Sequence, residues 1–296
     1  MLALAGLAAL AEEYRDELAH PIAPLRIGGV RRDLDAEPLI MGVINLSRDS
    51  TYRDSVAVSP ASAVRRARIL HAQGAGLVDI GAESTTQRAA RIGEQEQIRA
   101  LVPVIEELSA RGIATSVEAY SSAVVRACLA AGADVVNLTA AERAEDVYEA
   151  AAEHGAVVIL CYLPGATARD VGDYALDRDP LPVLRDYFAT QIEGARACGV
   201  SEIVIDPGLG FYYANLTDPA RRARHQSQVL LQSFRLRPLG VPVCQALPHA
   251  FDIFEEEFRT AEAYFAVIAR LGRVNVLRTH EVARVAATLR AEVALG

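Results

Sequence analysis

The chain of 296 residues contains no lysine, and all 30 residues in the lysine-plus-arginine count are arginine. This absence excludes every mechanism that needs a lysine amine, including the Schiff bases of aldolases and of pyridoxal enzymes. It also excludes the phosphate-binding lysine of a P-loop. Several large enzyme classes are therefore removed before any motif is considered.

Positive charge and long apolar runs are also in short supply. The net charge is −8, whereas nucleic-acid binding normally needs a basic face. No apolar stretch in the sequence has transmembrane length. We therefore expect a soluble, globular protein of the cytoplasm that binds neither nucleic acid nor membrane.

Cysteine is scarce, and its spacing is uninformative for metal binding. The four cysteines are far apart and form no C-x-x-C pair, which argues against both a disulfide framework and a zinc site. The histidines show no zinc spacing either. We expect reduced, buried thiols and no metal ion held by protein ligands alone.

Short apolar runs alternate with longer helical patterns from Pro38 onward. Apolar strands between amphipathic helices are typical of a parallel sheet that is covered on its outer face. Eight such units predict an α/β fold, a (β/α)8 barrel over residues 38–296, with a doubly wound open sheet as the alternative. Residues 1–37 are predicted to form an N-terminal helix and a lead-in. The eight runs are LIMGVINL, GLVDIG, IATSVEA, DVVNL, AVVILC, EIVID, VPVCQ and VNVLRT.

Polar residues close most of these runs. In a barrel of this kind the active site lies at the carboxyl ends of the strands, so these residues are candidates for one site. Each of them alone could instead cap a turn or satisfy loop amides. In chain order the strand-end candidates are Asn45, Glu83 with Thr85, Glu118, Asn137, Asp206, Gln245 with His249 just beyond it, and Arg278 with His280.

The residue types in this set point to a heterocyclic ligand. A carboxylate such as Asp206 can accept two parallel hydrogen bonds, which matches the adjacent N–H and NH2 donors of an aminopyrimidinone. The amide of Asn137 can donate and accept, so the two side chains could clamp a guanine- or pterin-like ring. Arg278 and His280 add donors suited to phosphate or carboxylate.

Five motifs occur in order at the predicted strands: IMGVINLSRDS, VDIGAESTT, VVNLTA, IDPGLGF and VLRTHEV. Together they resemble the pterin-binding barrel of dihydropteroate synthases, which also occurs in folate-dependent corrinoid methyltransferases. The resemblance covers roughly residues 38–290. It implies a transferase whose substrate is a pterin or a reduced folate, and a homodimer formed through the last helices.

The resemblance also implies which residues bind the ring. Asp206 would bind the 2-amino and N3 edge of the pterin, and Asn137 would bind the opposite side of that ring. Phe211 would line the pocket. Gln245, at the end of the seventh strand, is predicted to belong to the same binding set.

Other residues would serve the leaving group and the acceptor. By the same resemblance, Asn45 would contact a diphosphate leaving group and its Mg2+, a cation expected only with a diphosphate substrate. Arg278 and His280 would serve that leaving group or stack near the ring. Thr85 would lie on the loop that receives the acceptor, 4-aminobenzoate.

The sequence departs from the family pattern mainly where that pattern supplies cations. The Ser-Arg-Lys expected after the seventh strand falls on Pro248, His249 and Ala250, and the third-strand aspartate is Glu118. Losing one preorganised donor at a departing group typically costs about 3 to 4 kcal/mol. We therefore expect the ligand class to be kept and the reaction to differ.

Three functions follow from this comparison with the family. The one that the sequence favours is a transferase acting at the pterin C6 methylene or on a one-carbon unit of a reduced folate, with Glu118, His249, Arg278 and His280 as catalytic candidates. The alternatives are an authentic dihydropteroate synthase and a catalytically silent pterin-binding paralogue.

Overall fold

Eight parallel strands form a nearly closed barrel with helices between them. The computed structural model describes residues 3–47, 56–57, 59–83, 91–139, 144–163, 179–211, 213 and 215–295. The predicted (β/α)8 barrel is confirmed. The strands are β1 (Leu25–Ile27), β2 (Val30–Arg32), β3 (Leu39–Asn45), β4 (Leu77–Gly81), β5 (Thr115–Ala119), β6 (Val135–Leu138), β7 (Val157–Cys161), β8 (Ile203–Asp206), β9 (Cys244–Ala246) and β10 (Val276–Thr279).

The amphipathic segments of the sequence form the helices. No helix in the described part of the chain is both long and apolar enough to cross a bilayer. The helices are α1 (Leu4–Glu13), α2 (Arg15–Ala19), α3 (Pro60–Ala72), α4 (Glu94–Ser109), α5 (Ser122–Ala130), α6 (Ala144–His154), α7 (Leu181–Ala197), α8 (Pro219–Gln232), α9 (Phe251–Phe254), α10 (Ala261–Leu271) and α11 (Val282–Leu295), with 3-10 helices at Ser233–Leu239 and Glu255–Thr260.

Strand pairing runs in chain order around the barrel. Strands β3 to β8 pair successively, while β9 pairs with β10 and β10 pairs back with β3. An isolated bridge between Ile205 and Val243 joins the two remaining edges. Because all eight strands are parallel, their carboxyl ends meet at one mouth.

Apolar side chains fill the opposite end of the barrel, and the hairpin formed by β1 and β2 packs beneath them. This hairpin supplies Leu25 and Ile27 to the interior, and Leu34 follows from the lead-in. The inner face of the barrel strands thus forms a core closed from below. Its buried strand residues are Leu39, Met41, Leu77, Val135, Val157, Ile159, Cys161, Val204, Cys244 and Val276.

Polar contacts fasten the lead-in to this lower end. The buried Arg237 guanidinium donates to both oxygens of Asp35, at 2.7 and 2.8 Å, a bidentate geometry that fixes direction as well as distance. Asn275 Nδ2 donates to the carbonyl oxygen of Leu34 at 3.1 Å. The N-terminal segment therefore occupies the bottom of the barrel and leaves the mouth to the strand ends. The division at residues 37 and 38 stays a prediction.

Candidate active site

A buried network at the barrel mouth is organised around Arg278 on β10. Its Nε donates to Asp79 Oδ2 at 2.8 Å, and a terminal nitrogen donates to Glu118 Oε2. Asp79 also accepts from Asn137 Nδ2 at 3.1 Å and from Ser116 Oγ at 2.7 Å. We call Asp79, Glu118, Asn137, Asp206 and Arg278 the arginine network.

Asp206 ends β8 at the same mouth and is held by the loop that follows it. Its Oδ1 accepts from the Gly208 backbone N–H at 2.8 Å. Gly208 has a φ of 81°, and a Cβ there would lie 2.4 Å from the Tyr162 carbonyl oxygen, so only glycine fits. Tyr213 donates to the Gly208 carbonyl at 2.8 Å, and Phe211 packs beside that tyrosine. The loop therefore turns tightly next to the Asp206 carboxylate.

Burial raises the pKa values of two acids in the arginine network, Glu118 and Asp206. Burial raises the pKa of Glu118 to about 7, against the opposing effect of Arg278. Burial likewise raises the pKa of Asp206 to about 6, although the Gly208 N–H opposes the shift. Burial alone would lower the pKa of Arg278, but Asp79 and Glu118 outweigh it and raise that pKa. One permanent cation thus faces three carboxyl groups.

A second group, which we call the histidine cluster, consists of His249, Glu262 and His280. Glu262 Oε1 lies 2.9 Å from Nδ1 of His249 and 3.3 Å from Nδ1 of His280. The two imidazole centroids are 4.8 Å apart. Only 1% of the Glu262 side chain is exposed, so the carboxylate lies almost wholly inside the protein.

The other oxygen of Glu262 is held by the end of β10 and by the two residues between β10 and α11. Oε2 accepts from the backbone N–H of His280 at 2.8 Å and of Glu281 at 3.1 Å, and from the Thr279 hydroxyl. Burial would raise the pKa of Glu262, but the hydrogen bonds from the two histidines outweigh it and keep that pKa well below the usual range. Burial lowers the pKa of His280, with Glu262 opposing the change.

These contacts define the protonation pattern of the cluster. An ionised carboxylate only accepts hydrogen bonds, so each imidazole must present Nδ1–H to Glu262. The three side chains have ligand atoms within 4.8 Å of one another, a separation at which a divalent cation could be considered. In this structure the two nitrogen-to-oxygen separations, 2.9 and 3.3 Å, are within hydrogen-bonding distance. The cluster is therefore one carboxylate shared by two imidazoles.

The structure brings most of the predicted strand-end residues to the mouth. Glu118, Asn137, Asp206 and Arg278 meet in the arginine network, while His249 and His280 meet in the histidine cluster. Of the other predicted residues, Asn45 is half-buried at the end of β3 and Phe211 is half-buried beside the Asp206 loop. Glu83 follows β4 and accepts hydrogen bonds from the Ile92 N–H and the Tyr120 hydroxyl. Thr85 lies outside the described residues.

Gln245 is the predicted site residue that the structure directs elsewhere. Its neighbour Cys244 faces the barrel interior, and successive side chains of a strand point to opposite faces. The Gln245 side chain is therefore turned toward the outer layer, where Nε2 donates to Ser233 Oγ at 2.9 Å. The prediction that Gln245 binds the ring is corrected on this ground.

Two residues of the site do not figure among the strand-end candidates. Asp79 lies in the middle of β4 rather than at its end, although a carboxylate inside the apolar run GLVDIG is a usable signal because an unpaired buried charge is costly. Glu262 gives no such signal. An acidic residue in the first turn of a helix is normally predicted to lie on the surface, where it stabilises the helix dipole.

Comparison with known protein families shows to which family the chain belongs. The family model for pterin binding enzymes matches residues 41–248. The chain belongs to the pterin-binding enzyme family.

Relatives of this pterin-binding chain include dihydropteroate synthases, which are transferases. The enzyme of Synechocystis is 30% identical over 226 residues, covering 74% of each chain. That of Mycobacterium leprae is 31% identical over 207 residues, covering 69% of this chain and 70% of the relative. The protein is accordingly a transferase of the dihydropteroate synthase-like group.

Solved structures of similar fold include dihydropteroate synthases with bound ligands. The Xanthomonas albilineans dihydropteroate synthase with 4-aminobenzoic acid has a TM-score of 0.77 at 29% identity, covering 93% of this chain and 99% of that one. The Burkholderia cenocepacia enzyme complexed with 7,8-dihydropteroate has a TM-score of 0.76 at 26% identity, covering 93% and 97%. This pterin-binding barrel therefore has the same fold as those enzymes along nearly its whole length.

Proposed function

We propose that the protein joins the C6 methylene of a dihydropterin diphosphate to the amino group of 4-aminobenzoate and releases diphosphate. The observation that supports this most is the convergence of Asp206, Asn137 and Arg278 on one barrel mouth beside two histidines. The similarity to dihydropteroate synthases along most of the chain favours this reaction over the non-standard one that the sequence alone favours.

The arginine network suits the heterocycle. Its three carboxyl groups outnumber its one cation, so it favours a ligand edge rich in hydrogen-bond donors. Asp206 uses Oδ1 for Gly208 and would offer Oδ2 to the 2-amino and N3 donors of a pterin. Asn137 is oriented by its bond to Asp79, which preorganises its amide for the opposite side of the ring.

The leaving group needs positive charge that the arginine network lacks. Arg278 already faces Asp79 and Glu118, so little of its charge is left for a diphosphate. His249 and His280 are the remaining basic side chains that the described part of the mouth brings together. Mg2+ would neutralise part of the diphosphate charge when bound, and Asn45 at the end of β3 offers an amide oxygen of the type that this cation accepts.

A second candidate is one-carbon transfer on a reduced folate. The observation that favours it is the pKa of about 7 to which burial raises Glu118. A carboxyl group that titrates near neutrality beside the ring could act as general acid and base toward a one-carbon bridge. This reaction needs no diphosphate site and no lysine.

One assay separates these functions. The purified protein would receive the dihydropterin diphosphate, Mg2+ and 4-aminobenzoate, and dihydropteroate would be measured by chromatography. We expect product from the wild type and from Asp186→Asn, an exposed control, and a severe loss in Asp206→Asn. If no product forms at any enzyme concentration while tetrahydrofolate binds tightly in calorimetry, the folate reaction takes precedence. Binding of a pterin without turnover of either substrate would indicate a silent paralogue.

The homodimer is part of the same proposal. Helix α10 exposes Tyr264, Val267 and Leu271, which are 47%, 49% and 51% exposed and lie on one helix face. An apolar stripe of this kind suits a partner helix from a second copy. Analytical ultracentrifugation should show a dimer that Val267→Glu dissociates; a wild-type monomer would rule the proposal out. The cytoplasmic location stays a prediction.

A further inference from the structure

Glu262 is a buried carboxylate with an unusual set of partners. It accepts five hydrogen bonds, two from imidazoles, two from backbone N–H groups and one from a hydroxyl. Burying an ionised carboxylate is costly unless it is paired or fully hydrogen-bonded. Here the backbone and Thr279 satisfy one oxygen, so the other oxygen is held in place for His249 and His280.

The hydrogen bonds to Glu262 fix the orientation of the His249 and His280 rings. Both rings turn Nδ1 toward Glu262 Oε1, so each Nε2, which is separated from Nδ1 by Cε1, points away from that carboxylate. Phe251 packs against His249 with ring centroids 5.2 Å apart and restricts its rotation further. Two imidazoles are thus held side by side with defined tautomers.

We propose that Glu262 is a positioning residue that holds His249 and His280 as a paired imidazole site, which binds an anionic leaving group and takes up a proton with it. This inference rests on the proposed function. It identifies where a chain without lysine finds the positive charge that a departing diphosphate requires. Glu262 itself does not touch the substrate.

The charges around the pair set its behaviour. Glu262 on α10 favours a protonated imidazole, whereas Arg278 on β10 and the second imidazole disfavour it. Glu281, the residue before α11, is also near, but its carboxylate is paired with Arg259 and Arg284. A bound diphosphate adds negative charge on the far side of the rings, so protonation of one imidazole becomes favourable when the anion binds.

The experiment compares Glu262→Gln with wild type, using inorganic pyrophosphate as the probe. Glu262→Gln keeps the shape and an accepting oxygen but removes the charge. Calorimetry in buffers of different ionisation enthalpy would give both the affinity and the protons taken up between pH 5.5 and 8.5. We expect proton uptake by the wild type and at least about tenfold weaker binding by Glu262→Gln at pH 7, equal to about one pKa unit. The pH at which binding is lost should fall by about one unit.

Two further variants separate positioning from simple destabilisation. Glu281→Gln removes a neighbouring buried carboxylate that serves arginines, and it should leave the pyrophosphate pH profile unchanged. Glu262→Asp restores the charge and should recover part of the affinity. Histidine NMR would report the tautomers directly, with Nδ1–H on both rings in the wild type.

Several results would overturn the inference. One is a Glu262→Gln protein that melts earlier but keeps the wild-type pH profile, because that outcome shows a structural role alone. Others are a wild type that does not bind pyrophosphate at any pH, or one that contains a stoichiometric metal ion on the two histidines. If the profile shifts as expected but no dihydropteroate forms, the imidazole site stands and the proposed reaction fails.

Discussion

The arginine network and the histidine cluster lie at the same mouth of the barrel and have opposite arrangements of charge. In the arginine network one cation, Arg278, faces three carboxyl groups. In the histidine cluster one anion, Glu262, faces two imidazoles. Strand β10 and its end contribute to both, through Arg278 inside the barrel and His280 just beyond the strand.

The contrast shows how one strand end can serve two parts of a substrate. The arginine network has excess negative charge, which suits the donor edge of a neutral heterocycle. The histidine cluster can become positive by taking up a proton, which suits an anion. The difference arises from the sign of the shared group, which is the Arg278 cation in the arginine network and the Glu262 anion in the histidine cluster.

The largest effect should come from removing Arg278, the shared cation of the arginine network. Arg278→Met would leave Asp79 and Glu118 buried without their counter-charge. Breaking a buried ion pair from one side typically costs about 3 to 5 kcal/mol, so we expect the free energy of unfolding in urea to fall by about that amount. Arg126→Met is the control, because its pair with Glu153 is solvent-exposed and should cost less than about 1 kcal/mol. Equal losses in the two variants would contradict the proposed importance of the network.

Removing the charge of Asp206, which we propose binds the pterin ring, should have the next largest effect. Asp206→Asn keeps an oxygen for Gly208 but places an NH2 group where the pterin donors would approach. Hydrogen bonds to a charged partner are worth about 1.5 to 3 kcal/mol, so the affinity for a dihydropterin should fall about 10- to 150-fold in calorimetry. Pyrophosphate binding should be unaffected, which makes the same variant its own control. If pyrophosphate binding falls equally, the two regions are not separate subsites.

The pH dependence of stability should differ in sign between the two regions. Burial raises the pKa of Glu118 from its ordinary 4.5 to about 7, so the folded state holds a proton that the unfolded state releases. Its contribution to stability is full below about pH 4.5 and is lost as the pH rises to about 7. Glu118→Gln should flatten this fall in urea unfolding measured from pH 4.5 to 8.

Glu262 should act in the opposite direction. Despite burial, its hydrogen bonds hold its pKa below the ordinary 4.5, so its contribution is present above pH 4.5 and is lost as the pH falls below that value. Glu262→Gln should therefore reduce the loss of stability at acid pH.

The contradicting outcome for Glu118 concerns the dependence of unfolding free energy on pH. A Glu118→Gln curve parallel to that of the wild type between pH 4.5 and 7 would refute the sign assigned to the arginine network.

Much of the fold could be read from the sequence, because each continuous apolar run becomes a barrel strand. The N-terminal hairpin could not be predicted in this way. Its strands Leu25–Ile27 and Val30–Arg32 have three residues each, too few to show a period. Their pairing depends on the barrel floor against which Leu25 and Ile27 pack.

The site could be predicted only where a strand end determines it. Glu118, Asn137, Asp206 and Arg278 lie at such ends and meet as expected. Glu262 could not be found, because its position under the histidines depends on how α10 packs against the end of β10. That is a tertiary contact without a local signal.

The smallest effect is expected at Gln245, where the prediction from the sequence failed. Its Oε1 is buried with no hydrogen-bond partner among the described residues, and its Nε2 bonds Ser233, whose hydroxyl also donates to the Val229 carbonyl at 2.8 Å. Gln245→Met has a similar volume and removes the unsatisfied oxygen, so the loss of one hydrogen bond is offset. Stability should change by less than about 1 kcal/mol, and the affinity for a dihydropterin should not change. A tenfold weaker pterin complex in this variant would return Gln245 to the binding site and require that the strand turn it inward when the ligand binds.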